Sequence, residues 1–144
     1  MLGGFDVSAE PAGVRIAAAP GEPVKLIALD GQEGLAEVVF AADRAGAATI
    51  ATYHLVREGE RARGYLLVHG NLARLAPGLA AGAMLAEGTE LGAAASVEPA
   101  SISLEARQVR DGATASRKGA LDERLLTASS FAVPIDLRDV LPLQ

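Results

Sequence analysis

The chain has 144 residues, of which 50% are apolar and 22% charged, so it is long enough for one domain with its own hydrophobic core. A net charge of -5 excludes the positive field that a nucleic-acid backbone requires, and the lack of cysteine excludes disulfides, thiolate metal sites and a cysteine nucleophile. Aromatic residues make up 3% of the sequence, which disfavours recognition of sugars or bases by stacking. We therefore expect a single domain, residues 1–144, that binds no nucleic acid.

Short strand signals dominate the first third of the chain. Residues 14–18 form an apolar run that ends at Pro20-Gly21, and residues 24–29 form a second that ends at the turn dipeptide Asp30-Gly31. Residues 33–41 are apolar at a period of two on both faces, which is typical of a covered strand. These signals predict antiparallel strands joined by tight turns.

The middle of the chain predicts a β-hairpin. Residues 47–56 and 63–69 read as strands, and the charged residues 57–61 between them fit an exposed tip. In residues 71–81, leucines recur at helical spacing but Pro77 and Gly78 interrupt them, so we expect a loop with one helical turn.

Glycines punctuate the next segment, Gly82-x-x-Leu85-x-x-Gly88-x-x-Leu91-Gly92. Because glycine adopts positive φ without a Cβ clash, this pattern predicts tight turns between short apolar steps. The phosphate-binding patterns that also use glycine are not present here, so we interpret these residues as turn glycines.

Strict alternation returns in residues 101–109, where Ile102 and Leu104 face a core and the serines at 101 and 103 face water or a groove. On the serine face, Glu105 and Arg107 are expected to form an ordinary surface pair worth less than about 1 kcal/mol. Residues 110–119 read as a polar loop, residues 121–127 as a short helix and residues 131–143 as an extended tail.

Several segments resemble, in the right order, motifs of the lysostaphin-type (LytM-like) zinc endopeptidases, which cut peptidoglycan cross-links. Gly21-Glu22-Pro23-Val24 and Asp30-Gly31 are similar to G-x-P-V…D-G, and the glycine segment is similar to G-x-x-V-x-x-G-x-x-I-G. His69-Gly70-Asn71-Leu72 stands where the family has Tyr-x-His-Leu, and residues 101–107 stand where it has His-Leu-His-Phe-Glu-Val-Arg. The resemblance covers roughly residues 11–109 and leaves 110–144 as an extension. It implies an all-β fold, an open or two-layered antiparallel β-barrel or sandwich with at most short helices.

The departures from that family fall on its metal and catalytic residues. Pro11 and Arg15 replace the His and Asp of its H-x-G-x-D segment, Ser101 and Ser103 replace its H-x-H pair, and Asn71 replaces its remaining catalytic His. Zinc needs imidazole, thiolate or carboxylate ligands, and the chain has only two histidines, His54 and His69. We therefore expect no metal, no cofactor and no catalytic residue.

The resemblance thus implies a non-enzymatic pseudo-peptidase domain that binds a protein or peptide partner and regulates cell-wall hydrolysis or envelope assembly. We expect a degenerate groove at Arg15, His69, Asn71, Ser101 and Ser103, with a cell-wall hydrolase or envelope component as one class of partner. Two alternatives stay open: a structural subunit that uses exposed β edges, and, as the weaker one, an unorthodox hydrolase built on His69.

No run of apolar residues reaches membrane-spanning length, so we expect no membrane insertion. If Met1 is the native start, we expect the protein in the cytoplasm. If an export signal has been trimmed, we expect it in the periplasm or cell envelope.

Overall fold

The computed structural model of the protein describes residues 5–7, 13–43, 47–95, 100–109 and 132–135. Every regular element in these ranges is a β-strand, and all the strand pairs are antiparallel. The all-β prediction is therefore confirmed. The strands are β1 Phe5–Val7, β2 Gly13–Ala18, β3 Pro23–Lys25, β4 Ala36–Ala42, β5 Ala48–Glu58, β6 Arg61–Leu72, β7 Arg74–Leu75, β8 Met84–Leu85, β9 Glu90–Ala93, β10 Ala100–Val109 and β11 Ala132–Ile135.

The strands form two sheets. The larger has the order β1-β2-β10-β6-β5-β4-β8, with β11 also paired to β10, and the smaller has the order β3-β9-β7. Within the described strands, β1 and β8 end the larger sheet without pairing to each other, so the arrangement is an open two-sheet one and not a closed barrel. In the described ranges, there is no helix that is long and apolar enough to cross a membrane.

The central hairpin of β5 and β6 is confirmed and is longer than the sequence predicts. Its register runs from Ala48 opposite Leu72 to Glu58 opposite Arg61, which leaves a two-residue turn at the charged tip. Gly59 in that turn has a φ of 65°, a left-handed conformation that costs glycine little. This hairpin lies at the centre of the larger sheet, because β10 pairs with the outer edge of β6 and β4 pairs with the outer edge of β5.

The two faces of the larger sheet have different surroundings. We call the face that carries Ile50, Leu72 and Ile102 the inner face, because these side chains form one buried cluster with Val24 of β3 and Leu91 of β9. The smaller sheet therefore packs on the inner face and supplies the core between the sheets. The opposite face carries a second buried set, which contains Val39, Ala51, Leu66, Val109 and Ala132.

The glycine segment behaves as predicted at two positions. Gly82 and Gly88 have φ values of 96° and 89° and lie in turns on either side of β8. Gly92 has another role, because a Cβ on it would collide with the backbone carbonyl oxygen of Arg74. The absence of a side chain at Gly92 therefore lets β9 approach β7, which holds the smaller sheet together.

Two local predictions are wrong. Residues 71–81 contain no helical turn but the short strand β7 followed by turns, and Gly78 has a φ of 84°, which interrupts any helix there. The strand predicted over residues 24–29 ends at Lys25, although the backbone of Leu26 still exchanges hydrogen bonds with Thr89 and Gly88. The predicted loop over 110–119 and helix over 121–127 lie outside the described residues. Within the predicted extended tail, residues 132–135 form β11.

Candidate functional site

A β-bulge in β6 builds the candidate site. Ala48 pairs with Leu72 and Ile50 pairs with His69, so Gly70 and Asn71 together face the single residue Thr49. Asn71 takes up the extra residue with a φ of 59°, in the left-handed region, which asparagine tolerates better than most residues. Such bulges re-aim side chains and occur often beside functional sites.

The bulge changes which face the side chains of β6 meet. In a regular strand His69 and Asn71 would share a face, because side chains alternate at a period of two. Here His69 pairs with Leu104 on the inner face, whereas the amide of Asn71 donates a hydrogen bond of 3.1 Å to the carbonyl oxygen of Ser101. The predicted set of site residues is therefore divided between the two faces.

Polar side chains converge on the opposite face of the sheet. We call Thr49, Asn71, Ser101 and Ser103 the polar patch; Asn71 is exposed and the other three are half-buried. Gly70 lies at its centre, because a Cβ on this residue would stand 2.6 Å from the hydroxyl of Ser103 and 3.8 Å from that of Thr49. Gly70 therefore leaves the space in which these two hydroxyls approach the backbone.

Arg15 stands next to the polar patch in the sheet. The backbone register places Ser103 opposite Gly70 on one side and opposite Arg15 on the other. Arg15, Asn71, Ser101 and Ser103 thus come from three neighbouring strands, β2, β6 and β10, at one place in the sheet. Thr49 is the one residue of the polar patch that the sequence did not predict. The register of the β5–β6 hairpin could have identified it, because that register places Thr49 opposite the Tyr-x-His-Leu-like segment.

His69 is fully buried and separate from the polar patch. It is 1% exposed, and its Nδ1 has no hydrogen-bond partner among the described residues. Burial lowers the pKa of His69 to about 4, so the imidazole is neutral at pH 7. Because Ser101 and Ser103 leave the sheet on the other face, no serine–histidine pair forms among these three residues.

The second histidine, His54, is also buried on the inner face but is fully bonded. Nδ1 of His54 lies 2.7 Å from Oε1 of Gln32, and its Nε2 lies 2.7 Å from Oγ1 of Thr52. Since the amide nitrogen of Gln32 donates to the carbonyl of Gly34, Oε1 must be the acceptor, and His54 carries its proton on Nδ1. Burial first, and then the proximity of His69, lower the pKa of His54 to about 3.

The expected pair of Glu105 and Arg107 forms, but the expectation that it lies on the surface is wrong. The Arg107 side chain is 5% exposed, and its two terminal nitrogens donate to Oε2 of Glu105 at 2.6 Å and to the carbonyl oxygen of Ala132 at 2.7 Å. The physical reason is β11, which pairs with the last four residues of β10, and Arg107 lies opposite Pro134 in that register. Arg107 is therefore an internal tie between two strands and not a solvated charge.

The residues of the polar patch do not suit zinc. Hydroxyl and amide groups are poor substitutes for the imidazole and carboxylate ligands that a zinc ion requires, and the neighbouring Arg15 is a cationic residue type. Among the described residues, no group of three histidine, cysteine, aspartate or glutamate side chains is arranged to hold a metal ion. The patch offers hydrogen-bond donors and acceptors instead.

In comparisons with known proteins, no protein-family model matches the chain, and no curated protein or solved structure is significantly similar to it.

Proposed function

We propose that this protein is a non-catalytic peptide-binding domain, a pseudo-peptidase of the LytM-like type, and that an extended peptide segment binds across its polar patch. The observation that carries this proposal is the bulge at Gly70 and Asn71, which brings Asn71 beside Ser101 and Ser103. These are the positions at which the resembled endopeptidases hold catalytic histidines and a zinc ligand. A cluster of polar side chains at positions where the metal ligands and catalytic histidines are replaced fits binding without cleavage.

The chemistry of the polar patch fits a peptide backbone. An extended peptide presents amide N–H and carbonyl groups in alternation, and hydroxyl side chains can donate to or accept from both. The hydroxyls of Thr49, Ser101 and Ser103 provide such groups, and the exposed Asn71 adds an amide. Gly70 supports this role because it offers no side chain that would lift a peptide away from the sheet.

The partner class follows from the resemblance. Because the resembled endopeptidases act on peptidoglycan cross-links, the ligand proposed here is a cell-wall peptide or a peptide segment of an envelope protein or cell-wall hydrolase. Binding of this kind would regulate cell-wall hydrolysis or envelope assembly.

A second candidate is a structural subunit of an assembly. It is favoured by three exposed apolar side chains, Leu35, Leu55 and Met84, around a cavity of about 290 Å³ beside Tyr53 at the β8 end of the larger sheet. Three side chains are few for an interface, since stable ones bury about 800 Å² on each partner. We therefore place this candidate second.

The test is an affinity measurement with Asn71→Gly. Glycine keeps the left-handed backbone of the bulge and removes only the amide side chain, so the fold should be retained. We expect this variant to bind a fluorescently labelled, cross-linked muropeptide about tenfold more weakly, because it loses the hydrogen bond from the Asn71 side chain.

The matched control is Gly59→Asn, which places an asparagine in left-handed conformation at the hairpin tip, far along β6 from the patch. This control should bind the muropeptide as the wild type does. Equal affinity of Asn71→Gly and the wild type would contradict the proposed site, and cleavage products in the mass spectrum would contradict the non-catalytic assignment.

A further inference from the structure

The strand β3 leaves one edge of the smaller sheet open. It is a terminal strand in the order β3-β9-β7, and no described strand pairs with its second edge. The carbonyl oxygen of Glu22 and both backbone groups of Leu26 form hydrogen bonds of 2.8–2.9 Å with residues beside β9. Because the backbone groups of a strand point alternately to its two edges, those of Pro23, Lys25 and Ile27 point to the open edge.

A cavity of about 170 Å³ lies beside this edge. Pro23, Lys25 and Ile27 all line it, together with Val24. Its other wall is formed by residues of β2, β6 and β10, and most of these are apolar, as Ile102 is. An apolar cavity of about 150 Å³ holds benzene, so this cavity has room for one Leu or Phe side chain.

Lys25 brings to the open edge a positive charge that no described residue neutralises. Its side chain is exposed and forms no ion pair or hydrogen bond with any residue that the structure describes. Glu22, the other charged residue beside the cavity, is engaged in its own turn, because its Oε1 accepts a hydrogen bond of 2.8 Å from the backbone N–H of Ala19. An acidic residue opposite Lys25 would therefore stabilise a strand that pairs with β3.

The same features disfavour a second copy of this chain as the occupant of the edge. In an antiparallel pair of two β3 strands centred on Lys25, the two ammonium groups would lie opposite each other and repel. Pro23 has no N–H to donate, which limits the pairing to a short segment. A short peptide with an acidic residue avoids the repulsion and needs only the backbone groups of Lys25 and its two neighbours along the edge.

We propose that β3 binds an extended peptide as an added antiparallel strand, in which an acidic residue opposite Lys25 is followed by Leu or Phe. Antiparallel pairing is the geometry of every described strand pair and is slightly more stable than parallel pairing. Side chains alternate along the added strand, so the acidic one lies beside the exposed Lys25 and the next lies opposite Val24 and enters the cavity. Two hydrogen bonds between the acidic residue and the backbone of Lys25 supply affinity.

The test is a binding titration of the whole chain with a fluorescently labelled, end-blocked hexapeptide, Thr-Thr-Glu-Phe-Thr-Thr. Methylation of the backbone nitrogen of its Glu removes the donor to the carbonyl of Lys25 and should weaken binding about tenfold. Methylation of the next nitrogen, that of Phe, is the matched control. In the proposed pairing this N–H points away from β3, so the affinity should stay within about twofold. Equal affinities of the two methylated peptides, or no binding of the parent peptide, would overturn the proposal.

The edge itself gives a second readout. Lys25→Glu should bind the hexapeptide about fivefold more weakly, and a peptide with Lys in place of Glu should bind this variant more tightly than it binds the wild type. In the wild type, the hexapeptide should slow amide exchange at Lys25 and Ile27 and leave that of Leu26, already bonded to Thr89, unchanged.

A dimer in light scattering, with the Lys25 amide protected before any peptide is added, would overturn the proposal and assign the edge to a second copy. None of these measurements involves a residue of the polar patch, so the two proposals fail independently.

Discussion

At the scale of single residues, the two buried histidines make the fold sensitive to acid. Burial lowers the pKa of His69 to about 4, and burial together with the nearby His69 lowers that of His54 to about 3. In the unfolded chain both would titrate at the ordinary value of 6.5. Below that pH, the histidines are protonated in the unfolded state but stay neutral in the folded state. Protonation therefore shifts the folding equilibrium toward the unfolded state.

We predict that the free energy of unfolding falls as the pH drops below 6.5, by about 1.4 kcal/mol per histidine for each pH unit. The loss should continue to about pH 4 for His69, where the folded state also takes up its proton. Urea titrations at a series of pH values measure this directly. The variant His69→Phe should show about half the slope between pH 6 and 5. A slope that His69→Phe leaves unchanged would contradict the buried, neutral state of this residue.

Also at the residue scale, the bulge explains why His69 and Asn71, which were expected in one groove, lie on opposite faces of the sheet. The resemblance predicts His69 and Asn71 in one groove, and regular alternation at a period of two would also place them on one face. The extra residue at Asn71 reverses the alternation after Gly70. A bulge leaves a weak sequence signal, because a Gly-Asn pair within a strand also fits an ordinary turn.

At the scale of strands, the side chain of Arg107 links β11 to β10. Its guanidinium joins Glu105 on β10 to the carbonyl of Ala132 on β11, and Nε has no partner among the described residues. Hydrogen bonds from a buried charged group are stronger than those on the surface. Removal of Arg107 should therefore cost more than breaking an exposed ion pair such as Arg57 with Glu33, whose side chains are 48% and 45% exposed.

We predict that Arg107→Ala lowers the free energy of unfolding by about 2–3 kcal/mol, because it removes two charge-assisted hydrogen bonds and leaves the Ala132 carbonyl without its donor. Amide exchange at Val133 and Ile135 should accelerate with it. Thermal unfolding and hydrogen exchange measure both effects. The control Arg57→Ala, which breaks an exposed pair, should cost less than about 1 kcal/mol. Equal costs for the two variants would show that Arg107 does not hold β11.

The strands also differ in how well the sequence predicts them. The hairpin of β5 and β6 and the turns at Gly82 and Gly88 depend on neighbouring residues, so local patterns are enough to predict them. The smaller sheet pairs β3 with β9 across more than sixty residues, and its strands are only two to four residues long. Strands this short have no readable period, which is why residues 74–75 were expected in a helical turn.

At the scale of the whole molecule, the two faces of the larger sheet differ in chemistry. The polar patch presents hydroxyl and amide groups on one face, and a cavity of about 170 Å³ between the sheets is lined mostly by apolar residues on the other. Through a resemblance, the sequence predicts three of the four patch residues, Asn71, Ser101 and Ser103, and the neighbouring Arg15. It does not predict the cavity, because the cavity depends on how β3 packs over the larger sheet.

The account rests on the claim that the polar patch binds a peptide without a metal and without cleavage. The most direct measurement is a backbone amide chemical-shift titration of the ¹⁵N-labelled protein with cross-linked muropeptide, with and without excess zinc. We predict shifts at Thr49, Gly70, Asn71 and Ser103, the same shifts with zinc, and an intact muropeptide afterwards. Shifts confined to other parts of the sheet, or cleavage that begins when zinc is added, would contradict the account.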